Sequence, residues 1–390
     1  MYIFNPEHDL SLANFSSNYT PPASAVKMAY DLAILPVWYS KQSMVVAEGE
    51  INRAFLEDIR DKLPLKAELI SYSDVAKQLN SSQSDKIIPW GWNPLLYRKL
   101  ISHGVPESHL PDMAKLQLLR DQSSRKHAVS LLKELKCENK DYCGESYYFK
   151  ELDELLFYLN SAKGDKVLKM PLSGSGRGLI WILGEITDKQ TDWCRRVIKG
   201  QGGVVAEPVL DKVVDFAMEF CLVNGDADFI GYSLFSSASS GAYKGNVLIS
   251  DEKIESVLAQ YVDPELLSQL RESLKVRLAG LFPDYNGYAG VDMMICNTLS
   301  GFKIQPCVEI NMRMNMGVVS RLFHNQFMNE DGEGEYIVDY FKKPESACKF
   351  HERLQQESPL KIKNGKIVSG YLSLTPVTAD THYVAYVIVK

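Results

Sequence analysis

Oxygen-bearing side chains are spaced along two neighbouring apolar segments near residue 300. Asp292 is the lone acid in the first, and Glu309 and Asn311 alternate with apolar residues in the second. Because alternate residues of a strand share one face, Glu309 and Asn311 are expected side by side. Mg²⁺ that bridges phosphates takes such ligands, so these three are the predicted metal set. Arg313 follows as a group that stabilises charge on a transferred phosphoryl group. Solvent-facing acids on a half-exposed hairpin are the alternative.

A glycine-rich segment directly follows Lys169. Its candidate phosphate-binding residues are Ser173, Gly174, Ser175, Gly176, Arg177 and Gly178. The glycines let backbone N–H groups approach phosphate oxygens, and Lys169 and Arg177 supply positive charge. Strand-like runs on both sides favour a hairpin that covers a triphosphate, since a Walker loop or a dinucleotide fingerprint should open a helix and no GK[ST] is present. The alternative is a plain glycine hairpin turn.

A third segment has the pattern of a nucleotide hinge. Its residues are Glu207, Pro208, Val209 and Leu210, with Asp215 a few positions later. An extended stretch beside a cleft can present peptide groups to the edge of a purine, and a carboxylate can accept from ribose hydroxyls. An ordinary strand with a solvated acidic end is the alternative.

Two further regions are candidates for the substrate. Lys244, in a small-residue loop at 236–246, could meet an anionic substrate, or the loop could be mere connection. Asn5 and His8 follow the first strand, and together with Trp90 and Trp92 they could line an acceptor pocket. Helix capping and simple packing are the alternatives for these residues.

The surrounding elements change character along the chain. Over about the first 110 residues strands alternate with helices, which predicts an open α/β sheet. Strands and hairpins then dominate, with expected strands at 166–170, 179–183, 204–207, 213–223, 228–235, 291–295 and 302–310. Asp263-Pro264-Glu265 predicts the start of a packing helix, and 368–374 with 383–389 predicts a C-terminal strand pair.

Composition limits the classes of function. The chain has 390 residues, 45% hydrophobic and 24% charged, with a formal net charge of -6. Such a balance argues against a nucleic-acid partner, which needs clustered Lys and Arg, and favours a small-molecule substrate. The N-terminus lacks a secretory pattern and no apolar run has membrane-spanning length, so a cytoplasmic location and no membrane partner are expected. Seven cysteines without a CxxC pair predict neither disulfides nor structural zinc.

In order, type and rough spacing, the three motif segments resemble those of the ATP-grasp superfamily, over about residues 113–320. The resemblance implies that Lys169 contacts the α-phosphate, residues 174–178 cover the phosphates and 207–210 hold adenine. It also implies that Asp215 binds ribose, that Arg313 serves phosphate or substrate, and that the metal ligands are Asp292, Glu309 and Asn311. Many members carry Glu as the first metal ligand, where this chain has the shorter Asp292.

The resemblance implies an α/β and α+β multi-lobe architecture. An open α/β domain like the one that precedes ATP-grasp folds would span 1–112, a small lobe 113–205, a large lobe 206–345, and a strand pair on the large lobe 346–390. The implied function is an ADP-forming ligase that uses ATP and Mg²⁺ to activate a small carboxylate for attack by an amine or thiol, with Arg313, Lys169 and Lys244 as catalytic candidates. A phosphotransferase, or a nucleotide-binding module without turnover, stays open, as does a homo-oligomer.

Overall fold

Helices occur throughout the chain. The structure is a computed structural model that describes residues 1–81, 85–174, 178–237 and 243–390. Its α-helices are α1 (His8–Asn14), α2 (Ala23–Asp31), α3 (Glu50–Arg60), α4 (Tyr72–Ser81), α5 (Pro94–Ser102), α6 (Met113–Gln122), α7 (Lys126–Glu138), α8 (Leu152–Ser161), α9 (Asp188–Gln201), α10 (Asp251–Leu258), α11 (Pro264–Leu281), α12 (Met316–Phe327) and α13 (Pro344–Glu357). Short 3-10 helices lie at Leu35–Trp38 and Glu107–His109.

Strands are short at the start of the chain and long in its second half. They are β1 (Tyr2–Ile3), β2 (Met44–Val46), β3 (Glu68–Ile70), β4 (Ile88–Pro89), β5 (Tyr147–Phe149), β6 (Lys166–Lys169), β7 (Leu179–Ile182), β8 (Val204–Pro208), β9 (Lys212–Val223), β10 (Asp226–Ser237), β11 (Tyr243–Leu248), β12 (Gly287–Thr298), β13 (Gly301–Asn311), β14 (Gly334–Tyr340), β15 (Lys361–Lys363), β16 (Lys366–Ser373) and β17 (Tyr383–Val389).

The chain divides into two units. The first unit comprises Met1–Leu118, Lys244–Lys253 and Arg313–Lys390, and the second comprises Leu119–Tyr243 and Ile254–Met312. The four-part division expected from the sequence stays a prediction.

The first unit contains a parallel sheet in the order β3-β2-β1-β4. Helices α3, α4 and α5 follow successive strands, as a parallel sheet requires. Apolar residues of the strands and of α4 and α5 form its core, including Ile3, Val46, Val75, Leu79 and Leu96. This open α/β sheet is the one that the alternating pattern predicted.

Antiparallel strands β14, β17, β16 and β15 lie side by side in the first unit, and β11 pairs with β14 along Gly245–Leu248. Val384 and Tyr386 of β17 and Tyr371 of β16 pack with Ala347 of α13. The predicted C-terminal strand pair is confirmed as β16 and β17.

In the second unit a small antiparallel sheet has the order β5-β8-β6-β7. Leu168, Ile182, Val204 and Ala206 on its strands pack against α8 and α9. Helix α9 begins in a capping box, in which the Thr187 side chain accepts from the Gln190 backbone and the Gln190 side chain accepts in return.

Long strands of the second unit run antiparallel in the order β13-β12-β9-β10. The turn between β9 and β10 places Asn224 and Gly225 at positive φ, as the Asn-Gly-Asp sequence predicted. Helix α11 packs on β9 and β10 and begins with the Asp263 side chain accepting from the Glu265 backbone, which confirms the predicted helix start. The other expected strands of this region are confirmed to within a few residues at each end.

Among the described helices, none is long and apolar enough to cross a membrane.

Candidate nucleotide and metal site

Lys169 ends β6 and forms an ion pair inside the small sheet. Its Nζ lies 2.6 Å from Oε2 of Glu207, and both side chains are 8% exposed. The pairing of β6 with β8 sets Val167 opposite Glu207, two residues from Lys169. The other carboxylate oxygen of Glu207 accepts from the Ser146 hydroxyl at 2.9 Å. The glycine-rich segment and the hinge segment therefore meet in a buried salt bridge.

The two ends of the glycine-rich segment are held close together. Met170 N donates to Gly178 O at 2.9 Å. Gly178 has φ of 75°, and a Cβ there would come 2.8 Å from the Ser173 side chain, so only glycine fits. The predicted phosphate-binding residues Ser175, Gly176 and Arg177 lie outside the described residues, whereas Ser173 and Gly174 lie within them.

Asp292 and Glu309 are direct cross-strand partners on β12 and β13. Their neighbours Val291 and Ile310 are buried on the opposite face, as alternation requires. Asn311 lies on the same face and its Nδ2 is 3.1 Å from Oδ2 of Asp292. The structure thus brings together the three predicted metal ligands.

Arg125 joins the glycine-rich segment to the metal hairpin, the name used here for the β12–β13 hairpin that carries the predicted metal ligands. It precedes α7, its side chain is 5% exposed, and its Nη2 donates to Oε1 of Glu309 at 2.6 Å. Nη1 donates to Met170 O at 2.6 Å and to the Ser173 hydroxyl at 2.7 Å. The sequence analysis missed this residue, because nothing in a helical pattern marks one basic side chain as buried.

Cys307 lies among the ionic groups of both motifs. Burial raises the pKa of its thiol well above the usual range, and the charges of Glu207, Asp292 and Glu309 raise it further while Lys169 opposes them. Cys307 is 1% exposed, and a thiol with a raised pKa is a poor nucleophile at neutral pH.

The candidate ribose ligand Asp215 lies on β9, opposite Met294 of β12. It is already engaged, since Oδ2 accepts from Lys212 Nζ at 2.5 Å and from the Ser237 hydroxyl at 2.6 Å. Beyond Glu207, Pro208 pairs with Lys166, and Val209 N donates to Asp165 O at 3.0 Å. Val209 is exposed and Leu210 half-buried, so this stretch keeps surface for a ligand.

Arg313, in the first unit, forms a two-pronged ion pair with Asp9. Nε and Nη2 lie 2.7 and 2.8 Å from the two carboxylate oxygens. Such a fork fixes the plane of the guanidinium.

Asp9 is a second residue that sequence reasoning did not single out as a partner of a motif side chain. Lys244 lies on β11 with its side chain exposed.

Asn5 and His8, also in the first unit, are buried after β1. Asn5 Nδ2 donates to Gly91 O at 2.9 Å, and a Cβ on Gly91 would come 2.5 Å from the His8 ring. Burial has the largest influence on the pKa of His8 and lowers it to about 4. Trp90 is buried edge-on against Phe4. These contacts are those of packed side chains, and a role in an acceptor pocket stays a prediction.

Asp292, Glu309 and Asn311 are half-buried side chains with oxygen atoms on one face of the β12–β13 hairpin, and oxygen ligands suit a hard divalent ion such as Mg²⁺. Two carboxylates and one amide oxygen leave coordination positions for phosphate and water. In the described part of the chain no group of three or more His, Cys, Asp or Glu side chains converges as a metal site. The predicted set contains only two such acids, so it stays a prediction.

Solved structures of similar fold cover most of the chain. The biotin carboxylase from Campylobacter jejuni, solved as a β,γ-ATP complex, matches with a TM-score of 0.50 and 11% identity over 90% of this chain and 87% of that one. The N5-carboxyaminoimidazole synthetase from Staphylococcus aureus matches with a TM-score of 0.49 and 14% identity over 100% and 92%. No protein-family model matches the sequence, and no curated protein matches it either.

The chain has the ATP-grasp fold, as the resemblance implied, and the predicted fold class is confirmed. At such low identity the likeness extends to the fold alone.

Proposed function

We propose that the protein is an ATP- and Mg-dependent ligase that activates a small carboxylate as an acyl phosphate for attack by an amine or thiol, releasing ADP. The observation that carries the proposal is the cross-strand pairing of Asp292 with Glu309, with Asn311 beside Asp292, in the same unit as the buried Lys169–Glu207 pair. A lysine can contact phosphate oxygens, and two carboxylates with an amide oxygen can hold the Mg²⁺ that neutralises a bound triphosphate.

Each residue has a part in this proposal. Lys169 would contact the α-phosphate, backbone N–H groups near Gly174 and Gly178 would face the phosphates, and residues 207–210 would hold adenine. Asp292, Glu309 and Asn311 would hold Mg²⁺, which neutralises phosphate charge and orients the triphosphate when bound.

Arg125 would hold the Glu309 carboxylate in place beside Asp292. Because no activated nucleophile is needed in this scheme, catalysis would rest on positioning and electrostatics. Arg313, oriented by Asp9, is the candidate for holding the acceptor carboxylate or the transferred phosphoryl group, and Lys244 is a further candidate for an anionic substrate.

A hydroxylamine trap tests the reaction class. A panel of small carboxylates is incubated with the protein, Mg²⁺, ATP and hydroxylamine, which intercepts an acyl phosphate as a hydroxamate. The ligase predicts hydroxamate and ADP with one member of the panel. Release of AMP would instead indicate an adenylating enzyme. A stable phosphorylated substrate without hydroxamate would indicate a phosphotransferase.

A further inference from the structure

A groove with aromatic and acidic walls lies at one edge of the small sheet in the second unit. It is formed by β5, the first strand in the order of that sheet, and by α8, and it has a volume of about 570 Å³. Such a volume lies within the range of small-molecule sites. Of the seven described residues that line it, four are aromatic, two are acidic and none is basic.

The aromatic wall combines residues of the strand and of the helix. Alternation along β5 puts Tyr147 and Phe149 on one face, and their ring centroids lie 5.0 and 5.3 Å from that of Tyr158 on α8. Tyr147 is nevertheless 39% exposed, and Phe157 is 76% exposed. These rings form one contiguous surface instead of single scattered side chains, and a contiguous exposed apolar surface marks a binding site.

The acidic wall is the first turn of α8, which carries Asp153 and Glu154. Residues four apart share a helix face, so Asp153 lies one turn before Phe157, and Glu154 lies one turn before Tyr158. Both carboxylates are exposed, and no described Lys, Arg or His side chain forms an ion pair with either. Acids in a first turn also stabilise the helix dipole. They leave one end of the groove with negative charge that no described side chain balances.

Two further observations concern the charge of the groove. The Tyr147 hydroxyl donates to Oε2 of Glu145 at 2.9 Å, which adds a third carboxylate beside the aromatic wall. Burial raises the pKa of Tyr158 to about 12, and Tyr147, Glu145 and Glu207 raise it as well. The Tyr158 hydroxyl is therefore neutral at physiological pH, and the negative charge comes from the carboxylates alone.

We propose that this groove binds a small organic cation in which an aromatic or apolar body carries an ammonium or guanidinium group. The charged group contacts the carboxylates of Asp153 and Glu154, and the body packs on the exposed rings of Tyr147 and Phe157. A cation near an aromatic face is attracted by the negative charge of that face, and carboxylates beside it add to the attraction. The proposal is independent of the ligase reaction, because it uses no nucleotide, metal ion or motif residue.

The spacing of the two walls favours a compact ligand. One helical turn, about 5.4 Å, separates each acid from the aromatic side chain that follows it on α8. An aryl ring joined to an ammonium group by a two-carbon linker matches this spacing. Phenethylammonium is therefore the probe. Its two controls are phenethyl alcohol, which has the same body without the charge, and ethylammonium, which has the charge without the ring.

Saturation-transfer NMR titrations of the full chain at low salt provide the test. We expect phenethylammonium to bind about tenfold more tightly than either control, and its advantage over the alcohol to shrink at high salt. Equal binding of phenethylammonium and phenethyl alcohol overturns the proposal, as does absence of phenethylammonium binding. Binding of a Lys-Phe-Lys peptide without binding of phenethylammonium assigns the groove to a protein partner and also overturns it.

Variants locate the binding in the groove. Phe157→Ala should weaken binding of phenethylammonium and of the alcohol alike. The double variant Asp153→Asn with Glu154→Gln should remove the preference for the cation and leave binding of the alcohol unchanged.

The matched controls lie beyond β7, at the opposite edge of the same sheet. They are Leu183→Ala, at a residue 72% exposed, and Glu185→Gln, at an exposed acid, and both should bind as wild type. Wild-type affinity and preference in the groove variants overturn the proposal. Circular dichroism checks that each variant is folded, and the wild-type titrations stand as a test on their own.

Discussion

Arg125 and Glu309 lie 184 positions apart in the sequence and 2.6 Å apart in the structure. The contact joins the residue that precedes α7 to a candidate metal ligand on β13, and the same guanidinium holds the entry to the glycine-rich segment. One side chain thereby positions parts of two motifs.

Replacing Arg125 by Ala should therefore cost stability and nucleotide binding together. Its charged hydrogen bonds are lost and Glu309 is left without its partner, so we expect a loss of about 2–3 kcal/mol in the free energy of unfolding. Urea unfolding measures this loss, and Arg125→Lys should restore part of it. The matched control is Arg195→Ala, an exposed residue paired with Asp192, which should change stability by less than about 0.5 kcal/mol. Equal losses in the free energy of unfolding for the two alanine variants would show that the contacts of Arg125 stabilise the protein no more than an exposed ion pair does.

The buried Lys169–Glu207 pair predicts a specific pattern of non-additivity. Lys169→Met leaves a buried carboxylate unpaired and should cost about 3–5 kcal/mol. Adding Glu207→Gln removes that charge and should restore most of the stability without restoring ATP binding. Urea unfolding and nucleotide titration of the single and double variants measure both quantities. Lys275→Met, in an exposed pair on α11, is the control. Strictly additive losses would contradict the assigned pair.

Glu309→Gln and Asp292→Asn should each remove the effect of Mg²⁺ on nucleotide binding while the protein stays folded. Both changes keep side-chain shape and remove a charge that the ion requires. Thermal unfolding with ATP, with and without Mg²⁺, provides the measurement. Glu272→Gln on the exposed face of α11 should keep the full Mg²⁺ effect. Retention of that effect in both site variants would make these acids ordinary surface groups.

His8 predicts a loss of stability in mild acid. Burial lowers its pKa to about 4 in the folded protein, below the ordinary 6.5, so only the unfolded chain binds the proton between these values. The contribution of neutral, buried His8 to the free energy of unfolding is complete above pH 6.5. It falls by about 3 kcal/mol as the pH drops to 4. Urea unfolding across this range should show a steeper dependence in wild type than in His8→Gln. The exposed His103→Gln should behave as wild type, and identical slopes in wild type and His8→Gln would refute the assignment.

The sequence predicted the elements whose pattern is local. The alternation of polar and apolar residues around Glu309 correctly predicted which residues of β13 share a face, and Asn224-Gly225 predicted the turn after β9. Both patterns involve only residues that are close together in the sequence. Arg125 and Ser146 were missed. Each depends on which segments the tertiary fold brings together, and no periodicity records that.

Mg²⁺-dependent ATP binding is the central claim, and calorimetric titration of the purified protein with ATP measures it most directly. We predict saturable binding in the presence of Mg²⁺, weaker binding when the ion is chelated, and weaker binding of GTP, because the hinge at residues 207–210 would match the adenine edge. Lys169→Met should lose most of the affinity. Absence of binding by folded wild-type protein at millimolar ATP and Mg²⁺ would contradict the account.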